Sequence, residues 1–330
     1  MSVKANRPQT GIAIEARGLV KVFGDNRAVD GVDLTVPAGM IYAVLGPNGA
    51  GKTTTINMLA TLVRPDGGSA KIFGHDVEKE PFIVRQLIGV TGQFASVDEK
   101  LSAMENLIIF SRLLGLSKAG AKAKALELLE EFDLAEAAKR PLEKFSGGMR
   151  RRLDLAVSLI AQPPLVFLDE PTTGLDPSAR TKMWGTIRRL VASGSTILLT
   201  TQYLEEADQL ADRIAVIDRG RVVAEGGPSQ LKKSIGQASL HIGLHHFHDM
   251  ERTRAIIRDI LKVEALITDA SRISARMTNP DSVADVAVEL KKAGVSLASL
   301  SVQEPSLDEV FFALTGAGKN AGIKEGKEND

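Results

Sequence analysis

The sequence predicts an α/β chain. A sheet carries a phosphate-binding loop, a helical subdomain is inserted into it, and a small α+β domain of ferredoxin-like order follows. Three observations predict this. Gly46-Pro47-Asn48-Gly49-Ala50-Gly51-Lys52-Thr53 follows the apolar run Met40–Leu45 and leads into Thr54–Ala60, giving strand, glycine loop and helix in succession. Residues 103–163 are rich in Leu, Ala, Glu and Lys at helical spacing and hold no strand candidate, whereas strand texture resumes at Pro164. After about Gly236 the order of elements becomes β-α-β-β-α-β.

The bulk numbers set the class. The chain has 330 residues, 44% hydrophobic and 25% charged, which suits an ordinary globular protein of one large or two smaller domains. Lys+Arg and Asp+Glu are both 41, so no net field recruits nucleic acid or an anionic membrane. With Cys at 0, disulfides and thiolate metal sites are excluded. No apolar run approaches the ~18 residues of a membrane span. The first residues lack the apolar core of a signal peptide, so a cytosolic resting place is expected, with any membrane role borrowed from another chain.

Taken in order, residues 12–36 show short apolar alternations broken by Gly18, Gly24-Asp25 and Asp30-Gly31, an antiparallel first layer. Phe23 precedes the turn. It is either core or a ring that stacks on a purine. The loop at Gly46–Thr53 turns successive N–H groups into one concavity at a helix N-terminus, where an anion settles. Lys52 would reach the β- and γ-phosphates and the Thr53 hydroxyl would take a position on Mg²⁺. A strand over 69–73, a short helix from Pro81 and a strand over 87–93 follow. Phe145-Ser146-Gly147-Gly148-Met149 opens a helix with a hydroxyl and bare N–H groups. Its continuation Arg150-Arg151-Arg152 reads as a solvated or ion-paired face.

Asp169 and Glu170 end the apolar strand Leu165–Leu168, on the edge where open α/β sheets bind ligands. Asp169 would hold Mg²⁺, directly or through water, and Glu170 would polarise the attacking water. Helices over 178–193 and 204–211 alternate with strands over 195–200 and 213–218. Strands over 238–244, 264–268, 272–277 and 296–302, with helices over 249–261 and 281–293, make the C-terminal domain. A helix over 306–315 follows. The boundaries expected are 1–236, with the helical subdomain over about 94–163, then 237–316. A disordered tail over 317–330 has little to bury. The histidines at 241, 245, 246 and 248 lack a preorganised frame for a metal.

The ordered set Gly46–Thr53, Gln93, Phe145–Met149, Leu165–Glu170, Gly174-Leu175-Asp176 and the segment around Gln202 closely resembles the nucleotide-binding subunit of ABC transporters, over residues from about 12 to 226. The resemblance implies an ABC-type P-loop ATPase using ATP and Mg²⁺, in which two domains sandwich two ATP molecules head to tail. The phosphate loop with Thr54 would face Ser146, Gly147 and Gly148 of the second copy. By the same resemblance Gln93 contacts Mg²⁺ and relays to a permease, Asp176 touches the partner domain, and Phe23 stacks on adenine.

Two departures stand out. Met149 replaces the usual Gln, which leaves the Ser146 hydroxyl and the glycine N–H groups in place. Gln202 stands where the family carries a His on the γ-phosphate. Its amide still donates but cannot carry charge, which leaves Glu170 as the base. Val90–Asp98, Gly147–Leu153, Thr200–Asp212 and Leu307–Gly316 look like the daunorubicin/doxorubicin-resistance type of export ATPase. That implies a peripheral place on the cytoplasmic side of the membrane, a separate permease and an exported amphipathic compound. A soluble ABC ATPase acting on a ribosome or nucleic acid is the alternative. The single nucleotide domain speaks against it, as does the short segment between Thr53 and Ser146, which has no room for a coiled coil.

Overall fold

The computed structural model describes residues 11–91, 97–235, 238–269, 271–277, 279, 281–303 and 305–315. The chain divides into two compact units, Met1–Gly227 and Pro228–Asp330.

The first unit opens with a hairpin of β1 (Ile12–Phe23) and β2 (Asn26–Pro37), and β4 (Gly67–Ile72) and β5 (His75–Asp76) extend it in the order β2-β1-β4-β5. These first two strands are longer than the sequence suggests. Gly18, expected to break the strand, sits instead at a register shift between Ala16 and Leu19. There it takes φ 57, and its N–H donates to Asp33 Oδ1 at 2.7 Å, so a bulge absorbs it. Val29, Val32, Leu34 and Val36 of β2 are buried and pack on α1 (Lys52–Leu59) through Ile56, Met58 and Leu59.

The second sheet is the one that matters for function. It contains β3 (Ile41–Leu45), β6 (Ile88–Thr91), β7 (Leu165–Asp169), β8 (Thr196–Thr201), β9 (Arg213–Asp218) and β10 (Arg221–Gly226), in the order β10-β9-β3-β8-β7-β6. All pairings are parallel except that of β9 with β10. Every residue of β3, β7 and β8 is buried, as a strand covered on both faces requires. Leu45 pairs with Thr201, and Asp169 with Thr200, so the C-terminal ends of three strands lie side by side. Helix α2 (Pro81–Leu87) runs directly into β6.

Between β6 and β7 stand α3 (Ala103–Leu113), α4 (Lys118–Glu131) and α5 (Gly147–Ser158), with no strand among the described residues of the segment. Ser102 and Glu105 form a capping box on α3, and Ser117 caps α4 through Gly120 N–H. Helices α6 (Pro177–Ala192) and α7 (Leu204–Leu210) flank β8 in sequence.

The second unit begins with α8 (Pro228–Ile235), which packs with the last helix, α11 (Leu307–Thr315), and so belongs with the C-terminal residues. Between them run β11 (Ser239–Leu244), α9 (Met250–Leu261), β12 (Leu266–Asp269), β13 (Arg272–Arg276), α10 (Ser282–Lys292) and β14 (Leu297–Gln303). The strands form an antiparallel sheet in the order β12-β13-β11-β14. Leu240, Ile242, Ile273 and Ala275 pack against Ile257, Val286 and Leu290 to give this unit a core of its own. The expected tail, residues 317–330, lies outside the described residues.

Candidate active site

The side-by-side strand ends place the loop after β3 beside the carboxylates that end β7. Gly46 N–H donates to Thr201 O at 3.2 Å, and Gly220 N–H to Ala50 O at 3.0 Å, which ties the loop to β8 and to the β9–β10 turn. A Cβ on Gly46 would lie 2.3 Å from Ile217 O, and one on Gly51 would lie 2.4 Å from Ala28 O. Gly51 also takes φ 101, a conformation L side chains rarely adopt. Pro47, Asn48, Gly49 and Thr53 are exposed, Thr54 is half-buried, and Ala50 and Lys52 are buried.

Lys52 folds back into its own loop. Its Nζ donates to Gly46 O at 2.9 Å and to Pro47 O at 3.1 Å, and it lies 3.3 Å from Glu170 Oε1. The Lys52 and Glu170 side chains are only 4% and 10% exposed, so neither charge tolerates losing its partner without another taking its place. Thr53 Oγ1 donates to Asp169 Oδ1 at 3.1 Å. Thr200 Oγ1 donates to the same oxygen at 2.5 Å and accepts from Glu170 N–H at 3.0 Å. Thr173 Oγ1 donates to Glu170 Oε2 at 3.1 Å. Glu170 holds φ 48, a strained value for a non-glycine residue, and it aims the side chain at the loop while the main chain leaves the strand.

Other sequence-predicted residues lie around this centre. Gln202 is half-buried, one residue beyond β8 and next to Thr201, whose carbonyl holds Gly46. Ser146 caps α5, accepting from Met149 N–H at 3.3 Å, and Asp176 caps α6, accepting from Ala179 N–H at 2.9 Å. A Cβ on Gly148 would come within 3.0 Å of Ala179 Cβ, so the two helix starts lie against each other. Ser146, Gly147 and Asp176 are exposed. Phe23 is 50% exposed at the end of β1, with Lys21 Nζ 5.4 Å from its ring centroid, so it is not a core residue. Gln93 lies outside the described residues.

The donor set fits the implied groups. Thr53 and Asp169 offer hydroxyl and carboxylate oxygens, the hard ligands a magnesium ion takes while keeping waters. The glycine loop at the N-terminus of α1 offers backbone N–H groups and a lysine to phosphates. The arrangement suits a polyphosphate on the loop with a carboxylate, Glu170, beside it to polarise water.

Several residues of the site escaped the sequence reading. Thr200 and Thr173 orient the two carboxylates, and a threonine pair ending an apolar strand was a usable signal for the first. Arg151 is the middle one of three successive arginines that the sequence does not tell apart. Its Nη2 donates to Asp169 O at 2.8 Å and Glu170 O at 2.9 Å, and its Nε to Pro171 O at 3.3 Å. Its neighbours pair elsewhere, Arg150 with Glu99 at 2.6 Å and Arg152 with Phe132 O at 3.0 Å. Only the fold assigns these different ends.

Comparison with known proteins agrees with this geometry. The family model described as ABC transporter matches residues 29–173. The chain is 54% identical to the daunorubicin/doxorubicin resistance ATP-binding protein DrrA of Streptomyces peucetius, covering 92% of each chain. It is 40% identical to the Nod factor export ATP-binding protein I of Burkholderia lata, over 92% of this chain and 97% of that one. A solved ATP-binding cassette of an ABC transporter in its ADP conformation superposes with a TM-score of 0.62 at 26% identity, covering 68% of this chain and 95% of that chain. A dimeric post-hydrolysis cassette bound to ADP and Pi gives a TM-score of 0.60 at 25% identity, over 65% and 98%. The chain belongs to the ATP-binding subunits of ABC transporters, of the daunorubicin/doxorubicin-resistance type, and is a P-loop ATPase.

Proposed function

We propose that this chain hydrolyses ATP as one half of a head-to-tail homodimer and drives a separate membrane permease that exports an amphipathic, drug-like compound. The observation that carries the reading is the pairing of Lys52 with Glu170 at 3.3 Å beside Thr53 and Asp169 at 3.1 Å, on one sheet edge. An incoming polyphosphate offers Lys52 more negative charge than one carboxylate does. Lys52 then leaves Glu170, which is free to orient a water and accept its proton. Thr53, Asp169 and Gln93 would hold magnesium, which would supply positive charge to offset that on the phosphates. Gln202 donates its amide to the γ-phosphate, and Phe23 stacks on adenine.

Ser146, Gly147 and Gly148 of the second copy close the site, with Asp176 at the same interface. The exposure of Ser146, Gly147 and Asp176 in the single chain supports this, as does the dimeric state of a solved cassette bound to ADP and Pi. No described helix is long and apolar enough to cross a membrane, so a separate permease would supply the translocation path. The names of the relatives support the cargo class, one a daunorubicin/doxorubicin resistance protein and another a Nod factor export protein.

Glu170→Gln tests the chemistry. It should keep ATP binding while turnover falls about a hundredfold or more, the usual loss with a general base. Phosphate release near the parent rate would refute the role.

A further inference from the structure

Glu206 is a charged residue with no exposure at all, on the first turn of α7. It falls on the buried face of that helix with Ala207 and Leu210, where a carboxylate has no reason to be unless something holds it. Its Oε1 accepts from Thr172 Oγ1 at 2.8 Å and from Trp184 Nε1 at 3.1 Å. Thr172 is itself fully buried, and Trp184 is 8% exposed. Oε2 is buried as well, and the Thr201 hydroxyl and the Arg180 charge also act on the carboxylate.

Each partner belongs to a segment that carries a site residue. Thr172 lies two residues past Glu170 in the loop leaving β7. Trp184 is on α6, the helix that Asp176 caps. Glu206 itself follows Gln202 by four residues, on the helix that opens at Leu204 just after it. We propose that Glu206 is a positioning residue for ATP hydrolysis, a buried tie that fixes the Glu170 loop and the Gln202 segment in register with α6. It touches neither substrate nor water. The inference rests on the reading that Glu170 and Gln202 act on ATP.

Burial pushes the Glu206 carboxyl up from its ordinary value, against the hydrogen bonds that oppose it. A neutral isostere should therefore serve, because Gln keeps the acceptor oxygen for both Thr172 and Trp184.

The test uses the full chain and steady-state ATP hydrolysis. Glu206→Ala should lower kcat about ten- to a hundredfold with KM for ATP within about twofold, since small misplacements of reacting groups cost that much. Glu206→Gln should restore most of the rate. Thr172→Val, which removes a single hydroxyl, should lower kcat in the same sense and combine less than additively with Glu206→Ala. The sole tryptophan, Trp184, reports folding of each variant that keeps it through buried-type emission. A folded Glu206→Ala with parental kcat would overturn the inference, and so would a kcat defect that Gln leaves uncorrected. If Glu206→Ala cannot be folded, Thr172→Val decides, and a parental rate there also overturns it. Glu170→Gln, assayed alongside, separates the two readings. If it hydrolyses normally, the role of Glu170 fails; if it is dead while Glu206→Ala is parental, only the positioning role fails.

Discussion

Replacing Arg151 by Met removes a guanidinium that fastens α5 to the main chain carrying both carboxylates. Two of its bonds to this main chain are short, 2.8 Å to Asp169 O and 2.9 Å to Glu170 O, and another, to Pro171 O, is 3.3 Å. A hydrogen bond from a charged donor is worth about 1.5–3 kcal/mol net, and the low end applies because the site is only partly buried. Two such bonds give about 3 kcal/mol, and the long one adds little. Urea unfolding followed by Trp184 emission measures this. That side chain is the chain's one tryptophan and lies in the first unit, so the signal ignores the second. Arg151→Lys should recover at most about half, because a single ammonium cannot reproduce the planar fork that spans adjacent carbonyls. ATP turnover should fall in both variants, since the tether acts on the main chain of Asp169 and Glu170. A loss below about 1 kcal/mol for Arg151→Met, or full recovery with Lys, would show that water replaces the guanidinium and that the tether is idle.

Further outcomes follow from other parts of the site. Gln202→Ala should cut turnover much more than ATP affinity while Gln202→His retains activity; normal hydrolysis by the alanine variant would make the contact idle. Ser146→Arg and Lys52→Ala should each abolish hydrolysis alone. If the proposed head-to-tail dimer forms, mixing them should restore part of it, because one composite site stays intact; normal hydrolysis by Ser146→Arg alone would end the sandwich model. Asp154 is half-buried, its Oδ1 is enclosed and unpartnered, and its carboxyl is pushed up to about 6 by the partial burial. A folded value above the unfolded one means that the native state holds the proton more tightly, so this contribution to stability is present below the unfolded value and lost as pH rises through 6. Asp154→Asn should therefore raise the melting temperature at about pH 8 and change it little at about pH 4. An equal shift at both would refute the sign.

What the sequence determined by itself was everything that rests on local chemistry. A glycine loop between an apolar strand and a helix has one common use, and Asp169-Glu170 at the end of a fully apolar run could be placed on the ligand edge from period and flanks alone. The same holds for the helical texture of 103–163 and for the element order of the second unit, because burial patterns repeat at helix and strand periods. Gly18 misled because a bulge and a strand end look alike in one dimension, and the difference lies in the partner strand's register.

Helix α8 and strand β10 were missed because short amphipathic segments near glycines and a proline carry little periodic signal. Tertiary structure alone decided which arginine of three ties down the carboxylates. It also decided that Lys52 rests on Glu170, that two threonines orient the pair, and that Glu206 is buried at the junction of three segments. Apart from the Thr173–Glu170 bond, each is a contact between residues distant in the chain, made within about 3.5 Å by hydrogen-bond geometry. Residue type alone says only that such a group must find some partner. The fold says which one.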